Sequence, residues 1–345
     1  MDHKRQMPAI VIGASAGGIQ ALLDLVSELP ADFGAPVLVV VHIGRSRSVL
    51  PKLIERAGVL PATHARDGDR VRSGHIHVAP PDFHMLLRGD RIALSHGPRE
   101  NHSRPAIDPL FRSAASSAGP GVIGIVLSGA LSDGSVGLQV IKARGGTVIV
   151  QDPEEALIGG MPLSALRSVD ADKVLRAREI GRHLASLSFT SPSTQEEQSV
   201  ADSEDRDREM ISQDFREQEA NRRAGELTMF TCPDCGGTLW QSASRNGSFR
   251  CHVGHTWGAE TLLGNKSEEL EAALWSSVRL LEERATLSRQ LARRVRDTTD
   301  DRQRADDIHE QAKLDERRAD AIRELLNTPL NTALQLADYD VTNGE

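Results

Sequence analysis

Cysteine is scarce in this 345-residue chain, and the three that exist all fall within positions 232–251. An odd number confined to one short stretch argues against a disulfide framework and for a metal site. Long apolar runs are missing too. The longest purely aliphatic run near the start, Val37 to Val41, is far too short to span a bilayer. Met1-Asp2-His3-Lys4-Arg5 leads into no apolar signal-peptide core. These absences predict a cytoplasmic protein with no direct membrane insertion. Surplus basic charge is the third absence, the formal net charge being −8. Residues 1–188 hold 21 Lys+Arg against 18 Asp+Glu, and residues 189–345 hold 20 against 31. Neither part offers the extended basic surface that nucleic acid requires, so no nucleic-acid partner is expected. The length predicts about two domains with ample material for a real core.

What is present begins with Val11-Ile12-Gly13-Ala14-Ser15-Ala16-Gly17-Gly18. An apolar strand candidate stops at a small-residue turn, and Ile19 to Leu29 then reads as a helix. A serine on a sharp strand-to-helix turn is held exposed, and the helix start offers free N–H groups to a developing oxyanion. Gly13-x-Ser15-x-Gly17 therefore fits a nucleophile elbow. A phosphate-binding turn and glycines kept for packing alone are the competing readings. The first is weakened because Ser15 stands where a dinucleotide fingerprint needs its second glycine and no G-K-[ST] follows.

Strand candidates at 8–13, 37–42, 75–79, 122–128 and 147–151 alternate with helix candidates at 18–28, 48–57, 107–118, 135–143 and 161–168. That alternation predicts an α/β fold: a doubly wound, mostly parallel sheet with helices on both faces. His84 to Ser95 breaks the pattern and reads as a β-hairpin about Arg88-Gly89-Asp90. In such sheets ligands bind beyond the carboxyl ends of the strands. Ser15, His42 and Asp133 each follow a different strand. Together they are a nucleophile, a base and an orienting carboxylate for acyl transfer. Taken singly, a histidine after a strand is most often structural and an aspartate before glycine most often a turn residue. The chain order Ser…His…Asp also differs from that of α/β-hydrolases.

The segment Ile12 to Gly18 resembles the G-A-S-[TA]-G-G motif of chemotaxis-type protein-glutamate methylesterases, the CheB-like catalytic domains. Val41-His42, Arg104 to Ala114, Leu127 to Gly134, and Gln151 to Glu154 with Gly160-Met161-Pro162 resemble four further motifs of that family, in the same order. The resemblance runs from about residue 8 to 188. It implies a serine carboxylic-ester hydrolase that removes methyl esters from glutamate side chains of a methyl-accepting, chemoreceptor-like protein, with glutamine deamidation as a companion activity. It implies Ser15 as nucleophile, His42 as general base and then acid, and Asp133 as orienting carboxylate, with no cofactor for catalysis. Ala16 is the natural first oxyanion donor, and Ala130 stands where the family's methionine lines the oxyanion region. Leu131 replaces the family's next glycine and forbids an easy positive φ. Ala130 and Leu131 leave open a second reading, a non-catalytic adaptor that binds a sensory-signalling partner. The family usually carries an N-terminal phosphoacceptor receiver. With the first strand near residue 8, none is expected here.

The organisation read from the sequence is a catalytic domain over 1–188 and a flexible linker over 189–227. A zinc-ribbon-like module over 228–262, a helical hairpin or coiled coil over 263–328 and a tail over 329–345 follow. In the module, Cys232-Pro-Asp-Cys235 is a two-thiolate knuckle, and Cys251 follows after fifteen intervening residues. Cys251 with His255 or His252 completes a tetrahedron for a structural zinc. His255 is the choice, because adjacent side chains on an extended segment point to opposite faces and His252 directly follows Cys251. C-x-V-G-H also resembles a segment of ribbons attached to some methylesterase-like proteins. This zinc is expected to hold structure without touching hydrolysis. From Ser267, read as an N-cap, apolar residues recur at heptad-like spacing through Leu274, Val278 and Leu281, and again through Ala305, Ile308 and Ala312. These helices could fold back on each other or pair between chains.

Overall fold

The computed structural model describes residues 8–42, 48–189, 225–242, 248–298 and 301–327. Most of the linker expected over 189–227, and the whole tail expected over 329–345, lie outside the described residues. The chain divides into two compact units, Met1–Thr261 and Leu262–Glu345.

The first unit is built on a seven-stranded sheet. Its strands are β1 (Ala9–Ala14), β2 (Val37–Val41), β3 (Ala62–His64), β4 (Ile76–Val78), β7 (Val122–Val126), β8 (Thr147–Gln151) and β9 (Lys173–Leu175), in the spatial order β3-β4-β2-β1-β7-β8-β9. Every pairing among them is parallel. Such strands are buried on both faces, and alternate side chains of β1 feed two separate cores. Ile10 and Ile12 point into one, with Leu22 and Leu25 of α1 (Gly18–Val26), Ile54 of α2 (Leu50–Ala57), and Ile180 and Leu184 of α6 (Ala177–Ser186). Ala9 and Val11 point into the other, with Leu110 and Phe111 of α3 (Ile107–Ala118), Leu138 and Ile141 of α4 (Ser135–Ala143), and Met161 of α5 (Gly160–Ser168). The doubly wound arrangement expected from the alternation is present. The expected hairpin is β5 (His84–Arg88) with β6 (Arg91–Ser95), lying on the second core through Met85, Leu87 and Ile92.

Strands β3 and β9 and helix α6 were not expected from the sequence. Helix α6 buries Ala177, Ile180, Gly181 and Leu184, a helical stripe of only four small or aliphatic residues among charged ones. Its outer face pairs Arg178 with Asp24 and Glu28 of the α1 region at 3.0 and 3.1 Å.

Also within the first unit is a four-stranded antiparallel sheet of β10 (Glu226–Thr231), β11 (Thr238–Gln241), β12 (Phe249–Cys251) and β13 (Thr256–Trp257). The second unit is a helical hairpin. Helix α7 runs over Ala259–Thr298 and α8 over Arg302–Leu326. Helix α7 begins at Ala259 and not at Ser267, since Ala259 to Leu262 holds no helix breaker and turns Thr261 and Leu262 inward. The helices are antiparallel within the chain. Arg296 meets Asp306 near the turn, at 2.6 Å, and Arg284 meets Asp315 further along, at 3.3 Å. Arg323 meets Glu282 still further from the turn. Val278, Ala285, Ala292, Ala305, Ala312 and Ala319 form the buried seam.

Candidate active site

Chain direction across the sheet reverses between β1 and β7, and that boundary is where a crevice opens in such a fold. Three residues meet at its carboxyl edge. Ser15 leaves β1 with its N–H on the carbonyl of Ser128, and His42 leaves β2 with its N–H on the carbonyl of Ala14. Asp133 sits in the turn that joins β7 to α4. Gly17 takes φ +75 to start α1, and a Cβ there would meet Leu157 and Ser128. The elbow therefore needs glycine at this position.

The histidine bridges the other two side chains. His42 Nδ1 lies 3.1 Å from Ser15 Oγ, and His42 Nε2 lies 2.7 Å from Asp133 Oδ2. An ionised carboxylate only accepts, so the imidazole proton belongs on Nε2. That leaves the Nδ1 lone pair facing the serine hydroxyl. Ser15 is half-buried and the His42 side chain is 18% exposed, whereas Asp133 is 2% exposed.

Asp133 is the most heavily bonded group of the site. Oδ2 accepts from His42 and from the backbone N–H of Ile107 at 2.7 Å. Oδ1 accepts from Asn101 Nδ2 at 2.9 Å, Asp108 N at 3.2 Å and Gly134 N at 3.0 Å. Two of these donors are the first N–H groups of α3, which a helix leaves unpaired and which favour an anion. Burial pushes this carboxyl upward, but its bonds from His42, Ile107 and Asn101 more than offset that and bring it down to about 2. Asp108 behaves oppositely. Burial, and then the charge on Asp133, push its carboxyl well above the ordinary range. The two buried carboxyl groups are thus pushed in opposite directions, Asp133 towards the ionised form and Asp108 towards the protonated one.

The backbone N–H groups of Ala16 and Ala130 are taken up by no other described residue. Leu131 adopts φ +64 despite its side chain, so the backbone turn expected to need glycine is made by leucine. That conformation costs roughly 1 kcal/mol. The neighbouring loop is held from outside: Gly129 N–H donates to Ile158 O at 2.9 Å and Met161 N–H to Gly129 O at 2.7 Å.

Sequence reasoning missed Asn101 and Asp108. Asn101 carries no motif of its own. Asp108 lies in the Arg104 to Ala114 stretch, but nothing in the sequence places it beneath Asp133.

A second constellation lies in the antiparallel sheet. Cys232, Cys235, Cys251 and His255 bring one ligand atom each to within 4.8 Å of one another. Cys235 Sγ is 3.6 Å from Cys251 Sγ, and Cys251 Sγ is 3.4 Å from His255 Nδ1. A tetrahedral ion with bonds near 2.0–2.3 Å needs edges of about 3.3–3.8 Å, so this donor set fits such an ion. His252 is exposed and outside the set. Burial pushes the Cys232 thiol up to about 11, a penalty that a bound cation reverses. No helix among the described residues is long and apolar enough to cross a membrane.

A serine, a histidine and a buried aspartate in this geometry define the protein as a serine hydrolase built on a parallel α/β sheet. A profile described as CheB methylesterase matches residues 10–184. The chain belongs to the CheB methylesterase family. A putative protein-glutamate methylesterase/protein-glutamine glutaminase of Leptospira interrogans is 42% identical over 174 residues, covering 50% of this chain and 90% of that protein. A protein-glutamate methylesterase/protein-glutamine glutaminase of Maricaulis maris is 36% identical over 177 residues, covering 50% of this chain and 44% of that protein. The crystal structure of the Thermotoga maritima CheB methylesterase catalytic domain is 33% identical with a TM-score of 0.50. It covers 52% of this chain and 97% of that domain.

Proposed function

We propose that this chain hydrolyses methyl esters on glutamate side chains of a methyl-accepting, receptor-like protein in the cytoplasm, and deamidates glutamine by the same route. The single observation that carries this reading is His42 bridging Ser15 and Asp133 at 3.1 and 2.7 Å. Ser15 Oγ attacks the ester carbonyl carbon while His42 Nδ1 takes the hydroxyl proton. Asp133 holds the imidazole in the tautomer that can accept it and balances the imidazolium charge. The backbone N–H groups of Ala16 and Ala130 receive the oxyanion. As the tetrahedral intermediate collapses, His42 returns the proton to the departing methoxide, and methanol leaves. Water then attacks the acyl-serine, with His42 again taking and returning a proton, and the glutamate carboxylate is released. With a glutamine substrate the leaving group is ammonia.

Cys232, Cys235, Cys251 and His255 would hold one zinc ion, making β10–β13 a zinc ribbon. A closed four-ligand site of this kind supplies folding energy and no reactive position.

The test is methanol release from a methyl-esterified receptor peptide by the full chain. Release should vanish in Ser15→Ala, and unchanged release in that variant would remove the enzyme reading.

A further inference from the structure

Four contacts between the Cys/His sheet and the catalytic sheet converge on one turn, Glu100 to Ser103. The backbone N–H of Asn101 donates to Thr256 O at 2.8 Å. The side-chain oxygen of Asn101 accepts from the N–H of Gly258 at 2.8 Å. His102 Nδ1 lies 3.0 Å from Asp234 Oδ1, and its ring sits 5.9 Å from that of Trp257. Asp234 lies between the first two cysteines, and Trp257 and Gly258 close the module. Gly258 also approaches the triad loop directly. A Cβ there would come within 2.7 Å of Ser132 Oγ, next to Asp133 in sequence.

The other end of the Asn101 side chain faces the chemistry. Its Nδ2 donates to Asp133 Oδ1 at 2.9 Å and to Asp108 Oδ2 at 3.2 Å. Asn101 is buried, 8% exposed, with φ +49, a conformation that asparagine tolerates better than most residues. An amide can donate at one end and accept at the other without charge. Asn101 does both, linking the catalytic carboxylate on one side to the last strand of the module on the other.

We propose that Asn101 is a positioning residue for the hydrolysis, holding Asp133 in line with His42 while the Cys/His module, docked through Thr256 and Gly258, holds Asn101. This inference rests on the assignment of Ser15, His42 and Asp133. Freed from Gly258, the amide can rotate. Asp133 then loses one of the bonds that fix its plane, and the imidazole loses its alignment with Ser15. Small misplacements of this kind cost rate far out of proportion to the stability lost.

The experiment uses the full chain, purified with its metal, and a fluorophosphonate probe whose attachment to Ser15 is mapped by mass spectrometry. Asn101→Gly accepts the positive φ and removes the side chain. Its maximal labelling rate should fall by about ten- to a hundredfold, while the probe concentration giving half-maximal rate changes less than about twofold. The downfield proton resonance of the His42–Asp133 hydrogen bond should shift or broaden. Asn101→Asp keeps an acceptor for Gly258 but sets a carboxylate oxygen against Asp133 and Asp108. It should lose at least as much rate. Cys235→Ala/Cys251→Ala should match Asn101→Gly, and combining all three changes should cost little more, because both act through one contact. Wild-type labelling rate in Asn101→Gly, or in the double cysteine variant, would overturn the inference alone. Absence of labelling at Ser15 in the unaltered protein would overturn the nucleophile assignment and this inference with it.

Discussion

Ile107 fills the space over Gly13. A Cβ built on Gly13 would collide with the Cγ2 of Ile107, whose own N–H donates to Asp133 at 2.7 Å. The glycine of the β1 turn therefore does more than shape the elbow. It lets the start of α3 come close enough to put two backbone donors on the Asp133 carboxylate.

Gly13→Ala should accordingly act twice. Overpacking at a fully buried site should cost about 1–3 kcal/mol, measured by denaturant unfolding. Displacement of Ile107 should lower kcat while KM stays near its original value. In an Ile107→Ala background, which removes the colliding Cγ2, Gly13→Ala should cost less of both, a partial recovery. No recovery would mean that the two residues are not coupled as described.

The two buried carboxyl groups give opposite signs of pH dependence. Asp133 is depressed in the folded chain, so its contribution is present above about pH 4, near the unfolded carboxyl value, and is lost as pH falls towards 2. Asp108 is raised, so the folded state holds a proton that the unfolded state has released, and stability falls as pH rises above about 4. Chemical denaturation of Asp108→Asn at several pH values should show a smaller fall between pH 4 and 7 than the unaltered chain. An equal fall in both proteins would contradict a protonated Asp108.

Leu131 holds φ +64 and is 36% exposed. Leu131→Gly removes the left-handed strain, and the partly exposed side chain gives up fewer contacts than a core leucine would. Thermal unfolding should move up by a few degrees, an effect of roughly 1 kcal/mol offset in part by the greater freedom of glycine in the unfolded chain. A fall in Tm would show that the leucine side chain contributes packing that outweighs its strain.

Metal content separates the two histidines of the module. His255→Ala should lose zinc, and His252→Ala should keep one ion per chain. The reverse outcome would reassign the fourth ligand. Chelation of the unaltered chain should both melt the antiparallel sheet and slow labelling of Ser15. The sequence alone predicts the opposite for labelling, a metal that holds structure without touching hydrolysis and so no link between the two. The contacts of Asn101 with Thr256 and Gly258 supply one.

Much of this is legible in the sequence. Alternating apolar runs and helical stripes carry the doubly wound sheet, because a buried parallel strand can scarcely be anything but aliphatic. The positions of Ser15, His42 and Asp133 at strand ends follow from the same alternation. What stayed hidden is what depends on close approach across the chain. Strand β9 and helix α6 bury too few apolar residues to announce themselves against Arg176, Arg178, Glu179 and Arg182. Asn101 looks like any loop asparagine until Asp133 and Gly258 are seen on its two ends. Asp108 looks like an ordinary acidic residue in the first turn of a helix until its burial beside Asp133 is known. Helix α7 begins early because nothing in Ala259 to Leu262 stops it, and a capping serine at 267 then lies inside the helix.

In the proposed hydrolysis Ser15 and His42 act as one unit. The most direct measurement is kcat/KM for methanol release from a methyl-esterified glutamate peptide by Ser15→Ala, His42→Ala and the double variant. Each single change should cost about as much as the pair, since neither residue contributes without the other. Losses that multiply in the double variant, or a Ser15→Ala protein that turns over at the original rate, would contradict it.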